Sequence, residues 1–252
     1  MRQFKQLIIV LLICSICSAC LKRGPDPIDP YEASNRKVFA LNEKIDNAVL
    51  KPLSRCYHKH IPFVFRDAVT NFFNNLSEIA SFANNILQCR PKSALITLTR
   101  FWINTTLGIG GLHDVATDMG LNQQYADFGL TLMKWGDVNS PYTVSAFMGP
   151  STYRDNVGML FDLFLFSVYP HIPNLYASTG LWTYSQFHRR AELLQSEKVI
   201  EATQIDAYVQ MRDAYLQNRK FLLQGGDPNA QPDLYVEAGA GKNHLKSETT
   251  PE

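Results

Sequence analysis

The first patterned segment of the chain is apolar: Leu7 to Ile13 runs without a break, after Arg2 and Lys5 and ahead of the mostly small residues Cys14 to Ala19. A membrane span needs about 20 such residues, so this layout predicts a cleaved export leader over residues 1–19. Farther on the apolar positions recur every three to four residues. Val38, Leu41, Ile45 and Val49 form one stripe of a helix, with Ser34 or Asn35 as its cap and Pro52 as its end. Phe39 lies off that stripe and widens the apolar surface. Residues 66–88 predict further helix with asparagine-rich interruptions, and 92–106 another helix ending at Leu107-Gly108-Ile109-Gly110-Gly111. Residues 112–156 are rich in turn formers and predict short helices or a little extended structure.

The segment VGMLFDLFLFSVYP, residues 157–170, is apolar all round except for Asp162 and Ser167. As a helix it would reach about 20 Å, short of a hydrocarbon core of ~30 Å. Two readings stand: a buried central helix, or a segment sunk part-way into one bilayer leaflet. Asp162 needs a partner or a wet cavity in either. Residues 182–224 predict a long, more polar helical region with Thr203 as a possible cap and Gly225-Gly226 as its stop. The stretch from Asp227 to Glu252 lacks apolar content and predicts a disordered tail. The expected fold class is mainly α, one helical domain over residues 31–226.

Composition enters at the leader's end. Ser18 and Ala19 stand directly before Cys20, as in the lipobox of bacterial lipoproteins, although Cys17 occupies the position usually held by an aliphatic residue. Cys20 is therefore the expected lipid-attachment residue, and Leu21 after it, by resemblance to sorted lipoproteins, points to the outer membrane. Residues 20–30, with three prolines and one glycine, read as an acylated tether. Arg2 and Lys5 are two of the 24 basic residues set against 23 acidic ones, so the remaining chain carries a net charge of about −1. No basic block is present, which argues against nucleic acid. Cys56 and Cys89 remain, and sequence leaves open whether they pair.

Catalytic patterns are absent. The sequence lacks a G-x-x-x-x-G-K-[ST] loop and a G-x-S-x-G elbow. Cys56, His58 and His60 alternate and would share a face on a strand, but no fourth ligand is evident, so no metal is expected. No cofactor is expected either, and the chain reads as a non-enzyme.

The segments Asp29-Pro30-Tyr31-Glu32 with Asn35-Arg36, Phe39 and Asn42; Asn71-Phe72-Phe73-Asn74-Asn75-Leu76 with Glu78; Arg100 to Gly111 with Asp114-Val115-Ala116; Asp127-Phe128-Gly129; Trp135-Gly136; Pro141-Tyr142; and Arg154-Asp155 occur in this order behind the lipobox. In this the chain resembles the MlaA family, also called VacJ lipoproteins, from Asp29 to about Pro232. Ile79, Ser140 and Ala146 depart from residues that the family often carries. The resemblance implies a ring-like helical protein in the inner leaflet of the outer membrane, with an amphipathic central channel. It also implies phospholipid as cargo, a trimeric outer-membrane porin and the periplasmic carrier MlaC as partners, and maintenance of outer-membrane lipid asymmetry as function. On that basis Asn35, Arg36, Phe39 and Asn42 are expected to form or support the channel wall. Phe161, Leu163, Phe164, Leu165 and Phe166 are expected to meet acyl chains, and the turn of Gly108, Gly110 and Gly111 to act as a hinge. The competing readings are a structural envelope scaffold and a lipid hydrolase.

Overall fold

The computed structural model describes residues 24–201 and 206–226. Its elements in order are α1 (Glu32–Ile45), a π-helical turn (Asp46–Leu50), α2 (Lys51–His60), α3 (Phe63–Leu87), α4 (Pro91–Thr106), α5 (Val115–Asp118) and α6 (Phe128–Lys134). There follow β1 (Tyr142–Ser145), β2 (Gly149–Thr152), α7 (Tyr153–Phe161), a second π turn (Asp162–Phe166), a 3₁₀ turn (Tyr169–His171), α8 (Leu175–Glu201) and α9 (Ala207–Leu223). The two strands form one antiparallel hairpin with Tyr142 opposite Thr152. The fold class is the mainly helical one expected. Cys20, the leader, Thr203 and the predicted tail lie outside the described residues.

Several boundaries differ from the sequence reading, each for a local reason. Pro52 does not end the first helix. A helical proline lacks an N–H and presses on the carbonyl four residues back. Here the preceding turn is π, with the Lys51 N–H bonded to the Asp46 carbonyl, and that one-residue slip makes room for the ring. Neither Ser34 nor Asn35 caps the helix. It begins at Glu32, and Asn35 is inside it and buried. The last residues of the proposed tether are part of the folded body: Asp29 is buried, and Ile28 accepts a hydrogen bond at its carbonyl from the Tyr142 N–H at 2.9 Å. The segment 157–170 is not one helix. It passes from α7 into the second π turn and leaves helical geometry at Ser167, whose ψ is 157°.

The packing closes on itself. Helix α1 continues through the π turn into α2, α2 packs on α8, α8 on α3, and α3 on the second π turn. That turn ends α7, which follows the hairpin, and β1 returns to α1. The joint between β1 and α1 is made by two asparagines. Asn35 Nδ2 donates to Asp29 Oδ1 (2.8 Å) and the Tyr142 carbonyl (3.2 Å), and its Oδ1 accepts from the Val144 N–H (3.0 Å). Asn42 repeats this seven residues on, donating to the Ser145 carbonyl (3.0 Å) and accepting from the Phe147 N–H (2.9 Å). Seven helical residues rise about 10 Å at 1.5 Å each, and three strand residues span about 10 Å. The two registers therefore match, and the free edge of β1 is satisfied by side-chain amides. Helices α6 and α7 cross where a Cβ on Gly158 would collide with the backbone of Gly129.

Burial is inverted relative to an ordinary interior. Among the described residues twelve apolar side chains are buried and twenty-three polar or charged ones. Helix α3 buries Asn75, Glu78, Ser81, Asn84 and Asn85, while α4 buries Ser93, Thr97, Arg100 and Asn104. These residues recur at helical spacing, so the two helices meet along polar stripes. Their apolar residues turn out: Leu95 is 65% exposed and Trp102 58%.

Candidate functional site

The polar seam is organised by Arg100, which is 1% exposed. Its guanidinium donates to Glu78 Oε1 (2.7 Å), Asp114 Oδ2 (2.9 Å), Thr117 Oγ1 (2.9 Å) and the Leu121 carbonyl. Asn104 donates to Asp114 Oδ1 at 2.8 Å and accepts from the Ala116 N–H at 2.9 Å. Burial works against the charge on Asp114, but hydrogen bonds from Thr117, Arg100 and Asn104 outweigh it and hold the carboxyl below its usual range. Burial pushes Glu78 up to about 7 even beside Arg100. A second cluster ties α9 down. Arg219 donates to Asp127 at 2.5 and 2.8 Å and to Asp155 at 2.8 Å, and the Tyr215 hydroxyl reaches Asp155 at 2.7 Å. Burial opposes that charge too, and the two carboxylates outweigh it, raising Arg219.

With most of its polar seam turned inside, the molecule shows hydrocarbon outside. Phe63, Val64 and Phe65 are 65–74% exposed at the start of α3. Three consecutive residues of a helix point about 100° apart, so no single packed face buries all three. Leu107, Ile109 and Leu112 are exposed after α4, where Asn71 on α3 reaches the Leu112 carbonyl. No described helix is long and apolar enough to cross a membrane.

Between Ile79, Phe82 and Ala83 of α3 and the chain from Leu165 to Val168 lies an open cavity of about 340 Å³, with His171 also lining it. The second π turn forms one wall, and Asp162 sets its position. Asp162 Oδ1 accepts from Asn84 Nδ2 (2.6 Å), and Oδ2 from the Phe128 N–H at the start of α6 (2.8 Å). Asn84 in turn accepts from Thr131 at 2.8 Å. One carboxyl group thus joins α3, α6 and the end of α7. Burial raises Asp162 to about 7, against the opposing hydrogen bond from Phe128.

The residues singled out from sequence divide between these regions. Phe161 and Leu165 are exposed, and Phe164 and Phe166 half-buried. Leu163 is instead 8% exposed, packed under Leu160, Phe164, Tyr169, Leu175 and Trp182. The π turn points it inward, so its partners are protein rather than acyl chains. Leu165 and Phe166 line the cavity. Asn35, Arg36, Phe39 and Asn42 gather at the α1–β1–α9 joint. Asn35 commits both amide donors and its acceptor within the protein. Arg36 contacts Glu32 (2.7 Å) and Asp206 (2.8 Å) and lies 4.4 Å from the Tyr208 ring centroid, which Phe39 meets edge-on. The turn of Gly108, Gly110 and Gly111 is closely packed. A Cβ on Gly108 would strike the carbonyls of Asn104 and His113, and one on Gly111 would meet Asn75, whereas Gly110 faces open space.

Cys56 and Cys89 are free and exposed. Cys56, His58 and His60 lie on a helix, not a strand. There Cys56 Sγ faces His60 Nδ1 at 3.5 Å, while His58 Nε2 is at 2.9 Å from the Ala191 carbonyl. The sequence reading missed Asn84 and the cavity wall on α3. Their signal was present: Asn75, Glu78, Ser81, Asn84 and Gln88 repeat at three to four residues, which is the period of a buried face.

A family model described as MlaA lipoprotein matches residues 27–222. The Escherichia coli (strain K12) protein named "Intermembrane phospholipid transport system lipoprotein MlaA" is 34% identical over 227 residues, covering 84% of this chain and 88% of its own. The Haemophilus influenzae protein of the same name is 30% identical over 204 residues, covering 79% and 80%. An uncharacterized protein of Rickettsia typhi is 31% identical over 196 residues, covering 78% of each. A solved structure described as "Structural basis for maintenance of bacterial outer membrane lipid asymmetry" has a TM-score of 0.67 at 33% identity, covering 77% of this chain and 98% of that one. The match across most of the folded body, polar seam and cavity included, makes this chain a member of the MlaA lipoprotein family.

Proposed function

We propose that the chain is an outer-membrane lipoprotein that withdraws phospholipid from the outer leaflet and passes it to a soluble periplasmic carrier, keeping the two leaflets different. The observation that carries this is the inside-out burial: a polar seam within, an apolar surface without, and an open apolar cavity between α3 and the second π turn. The names borne by the relatives point the same way. Cys20 holds the chain to the inner leaflet, where two or more acyl chains anchor stably while one does not. A trimeric porin and an MlaC-type carrier are the partners.

The physical task is to lower two barriers at once. Bringing some 30 methylenes of a phospholipid into water costs on the order of 25 kcal/mol at ~0.8 each, and moving a charged headgroup through hydrocarbon is also costly. A ring of helices with buried polar groups and an apolar exterior offers each half of the lipid a matching surface. Transport on such a surface breaks no covalent bond, and its direction comes from the lipid distribution or from partners.

The test is genetic and biochemical. In cells lacking their own family member, this chain should restore low surface phospholipid, and Cys20→Ala should fail to do so while losing its acyl mass. Unchanged surface phospholipid with well-folded, acylated protein would overturn the reading. A scaffold would then be the alternative.

A further inference from the structure

Resting on the phospholipid-transport reading, we propose that the cavity between α3 and residues 165–168 is a binding site for one fatty acyl chain of the lipid, with His171 at its rim against the phosphate. The walls offer hydrocarbon from Phe82, Ala83, Leu165 and Val168. The Ser167 hydroxyl proton is not available to a ligand, since it is donated to the Leu163 carbonyl at 2.6 Å. His171 Nδ1 lies 3.1 Å from the Ser167 carbonyl, and the ring is exposed at the cavity's edge. The Asp162 carboxylate is held by Asn84 and the Phe128 N–H, so no bare charge meets a lipid tail there.

A polar ligand requires several placed donors and acceptors in the wall, and this wall is mainly hydrocarbon, with Ser167 its one hydroxyl. An unbranched acyl chain requires only dispersion contact and exclusion of water along its length, with a polar group at the mouth for the headgroup. The volume of about 340 Å³ lies at the small end of ligand sites. That suits a single tail rather than a whole phospholipid. The opening is maintained by the backbone. Leu163 is pinned in its cluster and the chain turns extended at Ser167, which carries Val168 and His171 away from the helical path.

The experiment is native mass spectrometry of the full protein extracted from membranes in a non-ionic detergent. The wild type should carry one phospholipid per chain. Ala83→Trp, filling the cavity from α3, should lower that occupancy at least tenfold, and Val168→Trp should do the same from the opposite wall. His171→Gln should lower it about threefold, because the tail remains held. Should both tryptophan variants fail to fold, a benzophenone side chain at position 82 decides: a phospholipid adduct supports the site, and its absence overturns it. Equal occupancy in the wild type and a folded tryptophan variant would overturn the acyl site, as would detergent in place of phospholipid. If those variants still restore lipid asymmetry in cells, the transport reading survives the loss of this site. If the wild type neither carries lipid nor restores asymmetry, both fall.

Discussion

In the α1–β1–α9 joint, Tyr142, Val144 and Tyr208 are buried together with Val38, Phe39 and Leu216 closing over them, whereas in the α3–α4 pair the buried side chains are mostly polar, among them asparagines, serines, Thr97, Glu78 and Arg100, and large apolar ones such as Leu95 and Trp102 face out. The first region adds hydrocarbon excluded from water to the hydrogen bonds of Asn35 and Asn42. The second is held by hydrogen bonds and charge in a place that water does not reach. Only the second suits a hydrocarbon surrounding, because a lipid tail competes for none of its bonds. Under the proposed function, the first region is the part suited to water and the second the part suited to lipid.

The comparison can be broken most severely at Arg100. Arg100→Ala leaves the buried Glu78 and the half-buried Asp114 without their cation, a loss of about 3–5 kcal/mol, read as a fall in the denaturant midpoint. In the other region Asn35→Ala orphans the Val144 N–H and the Tyr142 carbonyl and should cost about 1–3 kcal/mol. Asn42→Ala should cost less, because its site is only part-buried.

Acidity separates the groups next. Asp162 and Glu78 are raised to about 7, so the folded protein holds their protons more tightly than the unfolded chain. Their contribution to stability is complete below about pH 4 and is lost as pH rises to about 7. Asp114, Asp127 and Asp155 are lowered, so theirs is present above about pH 4 and lost on acidification. Asp162→Asn should therefore flatten the decline between pH 4 and 7 in a series of thermal melts, leaving the acid limb in place. An unchanged slope would mean that Asp162 is ionised throughout that range.

The smallest effect on stability sharpens the comparison most. Trp102→Ser, on the outward face of α4, should change stability by within about 0.5 kcal/mol yet reduce retention on phospholipid vesicles. Val144→Ser, buried in the joint, should destabilise the protein without altering retention. Reversal of these two outcomes would remove the distinction between the regions.

Much of the organisation was legible in the residues. Gly225 ends α9 in the left-handed conformation at φ 88°, as its position after an apolar-periodic stretch implied. Helices α3 and α4 begin and end within a few residues of the expected bounds. The asparagines of α3 look like interruptions only when apolar residues alone are counted as periodic. In this helix the repeating face is polar, and read as such it marks the seam. Pro52 misled for a different reason: a proline ends a helix of α register, and nothing nearby in sequence announces that the register slips at Asp46.

What the sequence by itself determined is the local: the helices α3 and α4 and the turn at Gly225. Each depends on neighbours within a few positions, or on residue type alone. Tertiary structure alone decided which way each helix faces and what Asp162 does. Asp162 meets Asn84 and the Phe128 amide across 78 and 34 residues of chain, and only the closing of the circuit brings them together. The same closure separates the polar stripes from the apolar exterior, because a helix carrying both kinds of residue takes its inside from whatever its partner presents.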